Sequence, residues 1–131
     1  MTLQRPLKRL LVVEDDPDQC SAVRDRLELY GYAVSCAADG SAAMEMLHTG
    51  FFDGVVLDLN LPSVPGIEVL AAARHAVPHV PVLVMSASQS RLQAAKDAKG
   101  ACAYMSKPFN IAEFKQAIHG CFGPASQPAV C

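Results

Sequence analysis

Five polar residues of this chain have side chains that can do chemistry, and each of them follows a short apolar run. They are Glu14, Asp15, Asp58, Ser86 and Lys107. Carboxylates bind cations or act as nucleophiles, while a lysine and a hydroxyl can contact an anionic group. Each residue alone also has a simpler explanation. The acids could cap helices, Ser86 could serve a turn, and Lys107 could be a solvated surface charge.

The run that ends at Asp58 is the most informative of these segments. Val55, Val56 and Leu57 are apolar on both alternating faces, which is typical of a strand buried within a parallel sheet. The turn-forming residues Pro62, Pro65 and Gly66 come soon afterwards, so the chain leaves the sheet in a loop. This pattern places Asp58 at the carboxyl end of a central strand.

The rest of the chain alternates predicted strands with predicted helices. Strands are predicted over residues 9–13, 32–36, 55–57, 80–85 and about 102–106, and helices begin near Pro17, Ser41, Gly66, Gln89 and Asn110. Asp16 is a candidate N-cap of the first helix, and Asn110 with Glu113 resembles a capping box. The apolar side of the fifth helix is assigned to Ile111, Phe114, Ile118 and Cys121. The weak stripe of the fourth helix (Leu92, Ala95, Ala98) predicts a loosely held element.

This alternation predicts an α/β fold: one doubly wound domain whose parallel sheet is covered by helices on both faces. The carboxyl ends of parallel strands meet at one edge, so the five polar residues should converge there. Two carboxylates about 4 Å apart repel by roughly 4 kcal/mol at an effective dielectric constant near 20, so converging acids need a cation. Donors that are all oxygen atoms favour Mg²⁺.

Length and composition restrict the functional classes. A chain of 131 residues fits one domain, and the net charge of −2 is no footprint for nucleic acid or an anionic membrane. Its apolar runs are too short to span a bilayer, so we expect a soluble cytoplasmic protein with no membrane or direct nucleic-acid partner. We assign residues 1–7 to an N-terminal extension, 8–122 to the domain and 123–131 to a flexible tail.

The cysteines do not suggest a disulfide framework. Their number is odd, they are widely spaced, and none forms a Cys-x-x-Cys pair: Cys20, Cys36, Cys102, Cys121 and Cys131. Most lie among apolar positions, so we expect reduced structural thiols, with Cys131 as the exposed and oxidisable one.

Four motifs, taken together, resemble the receiver domain of two-component response regulators of the chemotaxis type, over roughly residues 8 to 122. They are Leu11-Val12-Val13-Glu14-Asp15-Asp16, Val56-Leu57-Asp58-Leu59-Asn60-Leu61-Pro62 with Pro65-Gly66, Val82-Leu83-Val84-Met85-Ser86-Ala87, and Tyr104-Met105-Ser106-Lys107-Pro108-Phe109. Any one alone would be weak evidence, but their order and spacing are highly specific. The resemblance implies a flavodoxin-like (βα)5 domain with strand order 2-1-3-4-5 and a cis peptide between Lys107 and Pro108.

The resemblance also implies roles for the polar residues. Asp58 would accept a phosphoryl group from a phosphohistidine on a sensor histidine kinase or phosphotransfer protein. The implied Mg²⁺ ligands are Glu14, Asp15, Asp58 and the backbone carbonyl of Asn60. Ser86 and Lys107 would contact the phosphoryl group. Such a protein is a signalling switch rather than an enzyme, although it catalyses its own phosphorylation and dephosphorylation.

The implied output is a changed protein surface. Ser86 and Tyr104 take the switch positions, which would alter the face formed by helix four, strand five and helix five for a downstream protein or effector domain. A homodimer on phosphorylation is possible in such proteins. Whether the chain stands alone or belongs to a larger protein stays open.

Three other functions share part of this residue pattern. A phosphatase with an aspartate nucleophile generally carries a second acid two residues later, where this chain has Asn60. A flavodoxin-like cofactor binder rests on fold analogy alone, and no glycine-rich phosphate loop follows the first strand. A phosphorylation-independent interaction module is the remaining alternative, and failure to bind Mg²⁺ would favour it.

Overall fold

The computed structural model describes residues 7–62, 64–76 and 80–125. Strands and helices alternate along the chain: β1 (Arg9–Val13), α1 (Pro17–Leu29), β2 (Ala33–Ala37), α2 (Gly40–Thr49), β3 (Gly54–Asp58), α3 (Gly66–Ala76), β4 (Val82–Ser86), α4 (Gln89–Ala98), β5 (Ala103–Ser106) and α5 (Ile111–Phe122). None of the helices in the described part of the chain is both long and apolar enough to cross a bilayer.

The strands form one parallel sheet in the order β2-β1-β3-β4-β5, which confirms the expected topology. Every residue of β3 and β4 is buried, as an apolar run in the middle of a doubly covered sheet requires. The flanking strands β2 and β5 are only partly buried. The backbone of the central strands is therefore fixed in position, and the residues at the ends of these strands have little conformational freedom.

Side chains from the sheet alternate between two apolar clusters. One cluster joins Leu11 and Val55 to residues of α2, α3 and α4, such as Leu47. The other joins Leu10 and Val56 to residues of α1 and α5. The helices thus cover both faces, as predicted, because successive strand residues point to opposite sides.

Where a capping side chain predicted the start of a helix, the structure confirms the prediction. Asp16 accepts hydrogen bonds from the backbone N–H groups of Asp18 and Gln19 at 2.9 and 3.3 Å. Asn110 accepts one from Glu113 N at 2.8 Å, and its amide donates to the Glu113 carboxylate. These caps begin α1 and α5 with partners supplied by the local sequence.

Several predicted details were wrong. The fourth strand begins at Val82, two residues later than expected, and the proline that precedes it lies outside the strand. Ile111 is 52% exposed, because side chains lean toward the helix N-terminus and the first residue of α5 leans past its end. Phe122 lies in the core in addition to Phe114 and Ile118. In α4 only Leu92 and Ala95 are buried, while Ala98 is exposed, which makes the apolar stripe even thinner than predicted.

The expectation of reduced cysteines was wrong for two of them. Cys102 and Cys121 form a disulfide with their Cα atoms 5.7 Å apart, because α5 packs back beside β5. Cys20 and Cys36 are free. Cys131 lies outside the described residues, as do most of the predicted N-terminal extension and of the predicted tail.

We predict that Gly66→Ala lowers the free energy of unfolding by about 1–3 kcal/mol. A Cβ atom at Gly66 would lie 2.5 Å from Leu59 Cα and 2.8 Å from Leu59 O, and this backbone cannot move without disturbing the loop after β3. The matched control is Gly120→Ala in α5, where a Cβ atom meets nothing within 4 Å. This control should raise the free energy of unfolding by about 0.5–1 kcal/mol. Urea unfolding measures both changes, and equal stability of the two variants would contradict the close approach at Gly66.

Candidate functional site

The sheet brings the predicted polar residues to its carboxyl edge. Glu14 follows β1, Asp58 ends β3, Ser86 ends β4, and Lys107 follows β5. The ladders continue past the strand ends, since Glu14 N donates to the carbonyl of Ala37 at 3.0 Å and Lys107 N to that of Ser86 at 2.9 Å. The convergence expected from the sequence is thus a direct result of parallel pairing.

Apart from tyrosine hydroxyl groups, the buried polar side chains of the described residues lie at this edge. Across the described residues, the buried polar or charged side chains are those of Glu14, Asp58 and Ser86, with exposures of 3%, 3% and 0%. A charged or hydroxyl group is costly to bury unless it is paired. Their concentration at one place marks this edge as the candidate functional site.

Lys107 pairs with both buried carboxylates. Its Nζ atom lies 2.5 Å from Asp58 Oδ2 and 3.3 Å from Glu14 Oε2. It also donates to Gln19 Oε1 at 2.9 Å, a contact from the first turn of α1. The ammonium group therefore lies among three oxygen acceptors and is itself 22% exposed.

The two carboxyl groups respond differently to burial. Burial raises the pKa of Glu14 to about 7, and the neighbouring Asp58 adds to this increase. Burial alone would also raise the pKa of Asp58, but hydrogen bonds from Glu14, Lys107 and the backbone N–H of Asn60 bring it below its usual value. Burial opposes the charge on Lys107, yet Asp58 and Glu14 raise its pKa. Asp58 is therefore the ionised member of the pair, and Glu14 is the one that holds a proton most readily.

The donor chemistry of this pair fits Mg²⁺. Two carboxylates and one ammonium group leave an excess of negative charge when Glu14 is ionised, and the available donors are oxygen atoms. Asp15, the other predicted ligand, is exposed beside the buried pair, whereas Asp16 is occupied in capping α1. Among the described residues, no three Asp, Glu, His or Cys side chains are gathered closely enough to hold a metal by themselves.

Arg91 and Gln19 are site contacts that the sequence had not suggested, and Arg91 reaches the site through the loop after β3. Asn60 N donates to Asp58 Oδ1 at 2.8 Å, which orients the carboxylate. The side-chain oxygen of Asn60 accepts a hydrogen bond from Arg91 in the first turn of α4. Both Arg91 and Gln19 lie in first turns of helices that start near the carboxyl edge. Their place in the first turn of a helix that follows a strand is the sequence feature that could have identified these two residues.

Ser86 ends the strand before α4, and Tyr104 lies in β5, the strand after α4. Ser86 Oγ accepts from Ser88 N at 3.0 Å, and Ser88 in turn caps α4. The half-buried Tyr104 packs against the cluster formed with α2, α3 and α4, and its hydroxyl accepts from Ala101 N at 3.4 Å. The Lys107–Pro108 peptide is cis, as expected from the resemblance.

We predict that, without divalent cations, the protein loses stability as the pH rises from about 4.5 to about 7. The unfolded Glu14 carboxyl releases its proton near 4.5 and the folded one near 7, so the folded state binds more protons in this window. The free energy of unfolding should fall by about 3 kcal/mol at most from this group. Asp58, whose pKa is lowered, affects stability only at more acidic pH, where stability falls as the pH falls. Lys107, whose pKa is raised, loses its stabilising effect only at alkaline pH.

Urea unfolding in EDTA at pH 5 and pH 7.5 measures this effect. Glu14→Gln should abolish this component of the pH dependence, whereas Glu45→Gln, which changes an exposed acid on α2, should leave it as in the wild type. The same slope in wild type and Glu14→Gln would show that Glu14 is not the group responsible.

Comparison with known proteins agrees with this geometry. A family model described as the response regulator receiver domain matches residues 10–119. The transcriptional regulatory protein PrrA of Mycobacterium tuberculosis is 39% identical over 106 residues, which cover 80% of this chain and 46% of PrrA. The chain thus spans about half the length of the transcriptional regulators that it resembles.

Two further relatives match nearly end to end. The chemotaxis protein CheY of Pseudomonas aeruginosa is 34% identical over 118 residues, which cover 87% of this chain and 95% of CheY. The structure of response regulator TrrA from Thermotoga maritima, in complex with Mg²⁺-BeF, has a TM-score of 0.79 at 28% identity and covers 86% of this chain and 96% of TrrA. The chain therefore belongs to the response regulator receiver domain family of two-component signalling proteins.

Proposed function

We propose that Asp58 accepts a phosphoryl group from a phosphohistidine on a sensor histidine kinase or phosphotransfer protein, and that this event requires Mg²⁺. The observation that carries the proposal is the buried Asp58 carboxylate with Lys107 Nζ 2.5 Å away. A carboxylate held in this way is a nucleophile with a fixed position and a cation beside it.

The transfer is a displacement at phosphorus. An oxygen of Asp58 forms the new P–O bond while the P–N bond to the partner's imidazole breaks, and the electron pair of that bond stays on the imidazole nitrogen. Lys107 offsets the charge that develops on the phosphoryl oxygens. Ser86 accepts from Ser88 N, which leaves its own hydroxyl proton available for one of those oxygens.

Magnesium is part of the proposal. Glu14, Asp15, Asp58 and the backbone carbonyl of Asn60 are the residues that would hold the ion. The TrrA structure is a complex with Mg²⁺-BeF, which supports a role for Mg²⁺ in a protein of this fold. When bound, the ion would offset negative charge on the carboxylates and on the phosphoryl oxygens.

The output we propose is a change in the surface formed by α4, β5 and α5, recognised by a downstream protein or effector domain. Ser86 would move toward the phosphoryl group and Tyr104 would follow. The thin buried stripe of α4, which consists of Leu92 and Ala95, supports a movable helix. The 2.7 Å hydrogen bond from Gln89 Nε2 to Ser106 Oγ would couple its start to β5.

We predict that acetyl phosphate with Mg²⁺ adds one phosphoryl group to the protein, and that Asp58→Asn prevents the addition because the nucleophile is lost. Mass spectrometry of the intact protein measures the gain, and EDTA should prevent it. Asp25→Asn, which changes a carboxylate 73% exposed on α1, is the matched control and should be labelled like the wild type.

The same experiment distinguishes the alternative function. Absence of label in conditions that label another receiver domain would contradict the proposal and favour a phosphorylation-independent interaction module. Label on Asp58→Asn would place the acceptor at another residue.

We predict that Ser86→Ala still accepts the phosphoryl group, more slowly, but no longer transmits its presence to Tyr104. NMR of the tyrosine rings before and after labelling measures this response, with Tyr104→Phe to assign the signal. Tyr30 and Tyr32 pack on the opposite face of the sheet and serve as internal controls. A Tyr104 signal that stays unchanged in fully labelled wild type would rule out the proposed switch.

A further inference from the structure

A covalent bond joins the start of β5 to the end of α5. Cys102 immediately precedes β5 and is exposed, whereas Cys121 lies in the last turn of α5 and is half-buried. Their sulfur atoms form a disulfide across a sequence separation of 19. This pair lies far along the chain from the acidic residues and takes no part in the chemistry proposed above.

We propose that Cys102 and Cys121 form a reversible thiol–disulfide site, oxidised and reduced by small-molecule disulfides and thiols such as glutathione, which fastens the last turn of α5 to β5. In reducing compartments such a bridge forms and opens with the redox state, whereas in oxidising ones it persists.

The exchange with glutathione disulfide has two steps. The Cys102 thiolate attacks one sulfur of the disulfide, which gives a mixed disulfide and releases one glutathione thiolate. The Cys121 thiolate then attacks the Cys102 sulfur and releases the second glutathione. Two protein thiols are oxidised, one glutathione disulfide is reduced to two thiols, and the two thiol protons end on the released glutathione molecules.

Main-chain pairing holds Cys102 in place without the bridge. Its N–H donates to the carbonyl of Val82 at 2.8 Å, and the next residue, Ala103, pairs with Leu83 of β4. Because β4 is wholly buried, this end of β5 keeps its position when the disulfide opens.

Apolar packing holds Cys121 in the same way. Ile118 and Phe122, on either side of it in α5, are 0% and 4% exposed in the cluster that also contains Leu10. The backbone at Cys121 is therefore positioned by the core. The Cα separation of 5.7 Å lies within the usual range for a disulfide, so bridge formation requires little backbone movement. The second step of the exchange is then intramolecular and should outcompete accumulation of the mixed disulfide.

Access favours Cys102 over the other described cysteines as the first thiol to react. An exposed Cys102 can meet a small disulfide directly. Cys20 is 7% exposed, and burial raises the pKa of its thiol to about 12, with Cys36 adding to the increase. The thiolate that attacks is therefore scarce at Cys20, and it is hidden from solvent.

The bridge closes a loop that contains all of β5, Lys107 and most of α5. Closing a loop of this length removes entropy from the unfolded chain. Opening it should lower the thermal midpoint by about 10 °C for a chain of this size.

Equilibration of the full chain in glutathione buffers of high and low oxidised fraction tests the proposal. Free thiols are trapped by alkylation, and the protein is mapped by mass spectrometry. We expect a peptide that links Cys102 to Cys121 in the oxidised buffer, and two additional alkylated thiols in the reduced buffer. Cys102→Ser and Cys121→Ser should each abolish the linked peptide, whereas Cys131→Ser should retain it.

Thermal unfolding provides the second measurement. The midpoint of the wild type should fall on reduction, while Cys102→Ser should unfold at the midpoint of the reduced wild type in both buffers. Accumulation of a glutathione adduct without a bridge, a bridge that uses another cysteine, or a bridge that reductant cannot open in the folded protein would each overturn the proposal.

Discussion

Glu14 and Asp58 lie side by side at the carboxyl edge of the sheet, almost removed from solvent, and Lys107 contacts them both. Each of the three residues lies at or just after the end of a different strand. The cluster can therefore exist only where β1, β3 and β5 end at the same edge. When Glu14 is ionised, its repulsion with Asp58 and its burial oppose folding, and burial of the apolar central strands must offset them. Proteins accept such local instability where function requires it. A cation or a phosphoryl group bound at this place would change the charge balance among these three residues.

Lys107 links this balance to the rest of the molecule. It follows β5, the edge strand of the sheet, in which only Met105 is buried, and it precedes the cap of α5. The anchors of this segment are the core residues of α5, chiefly Phe114 and Ile118, together with the Cys102–Cys121 bridge. A change in the contacts of Lys107 therefore acts on the segment from β5 to α5. This segment is anchored through α5, whereas its strand is only weakly held. That arrangement is physically suited to a switch.

The start of α4 lies against the same edge but has little to hold it. Leu92 and Ala95 are its buried residues, and its first turn depends on polar contacts of Gln89 and Arg91 with neighbouring elements. Polar contacts at an exposed surface contribute less than apolar burial. α4 therefore has less apolar burial to stabilise it than the central strands have, which is why we propose it as the element that moves.

The alternation of strands and helices, and the placement of the site residues at strand ends, could be predicted from the sequence. Periodicity and capping side chains such as Asp16 and Asn110 act over a few residues, and they begin helices whatever the rest of the chain does. Strand order and the cis peptide before Pro108 came from the family resemblance. Only the tertiary structure decided which acids are buried, since Glu14 enters the site while its neighbour Asp15 stays exposed. It also decided the contacts of Gln19 and Arg91 and the pairing of Cys102 with Cys121. The physical reason is distance: these relations depend on how separate elements pack against each other, and no local pattern records that packing.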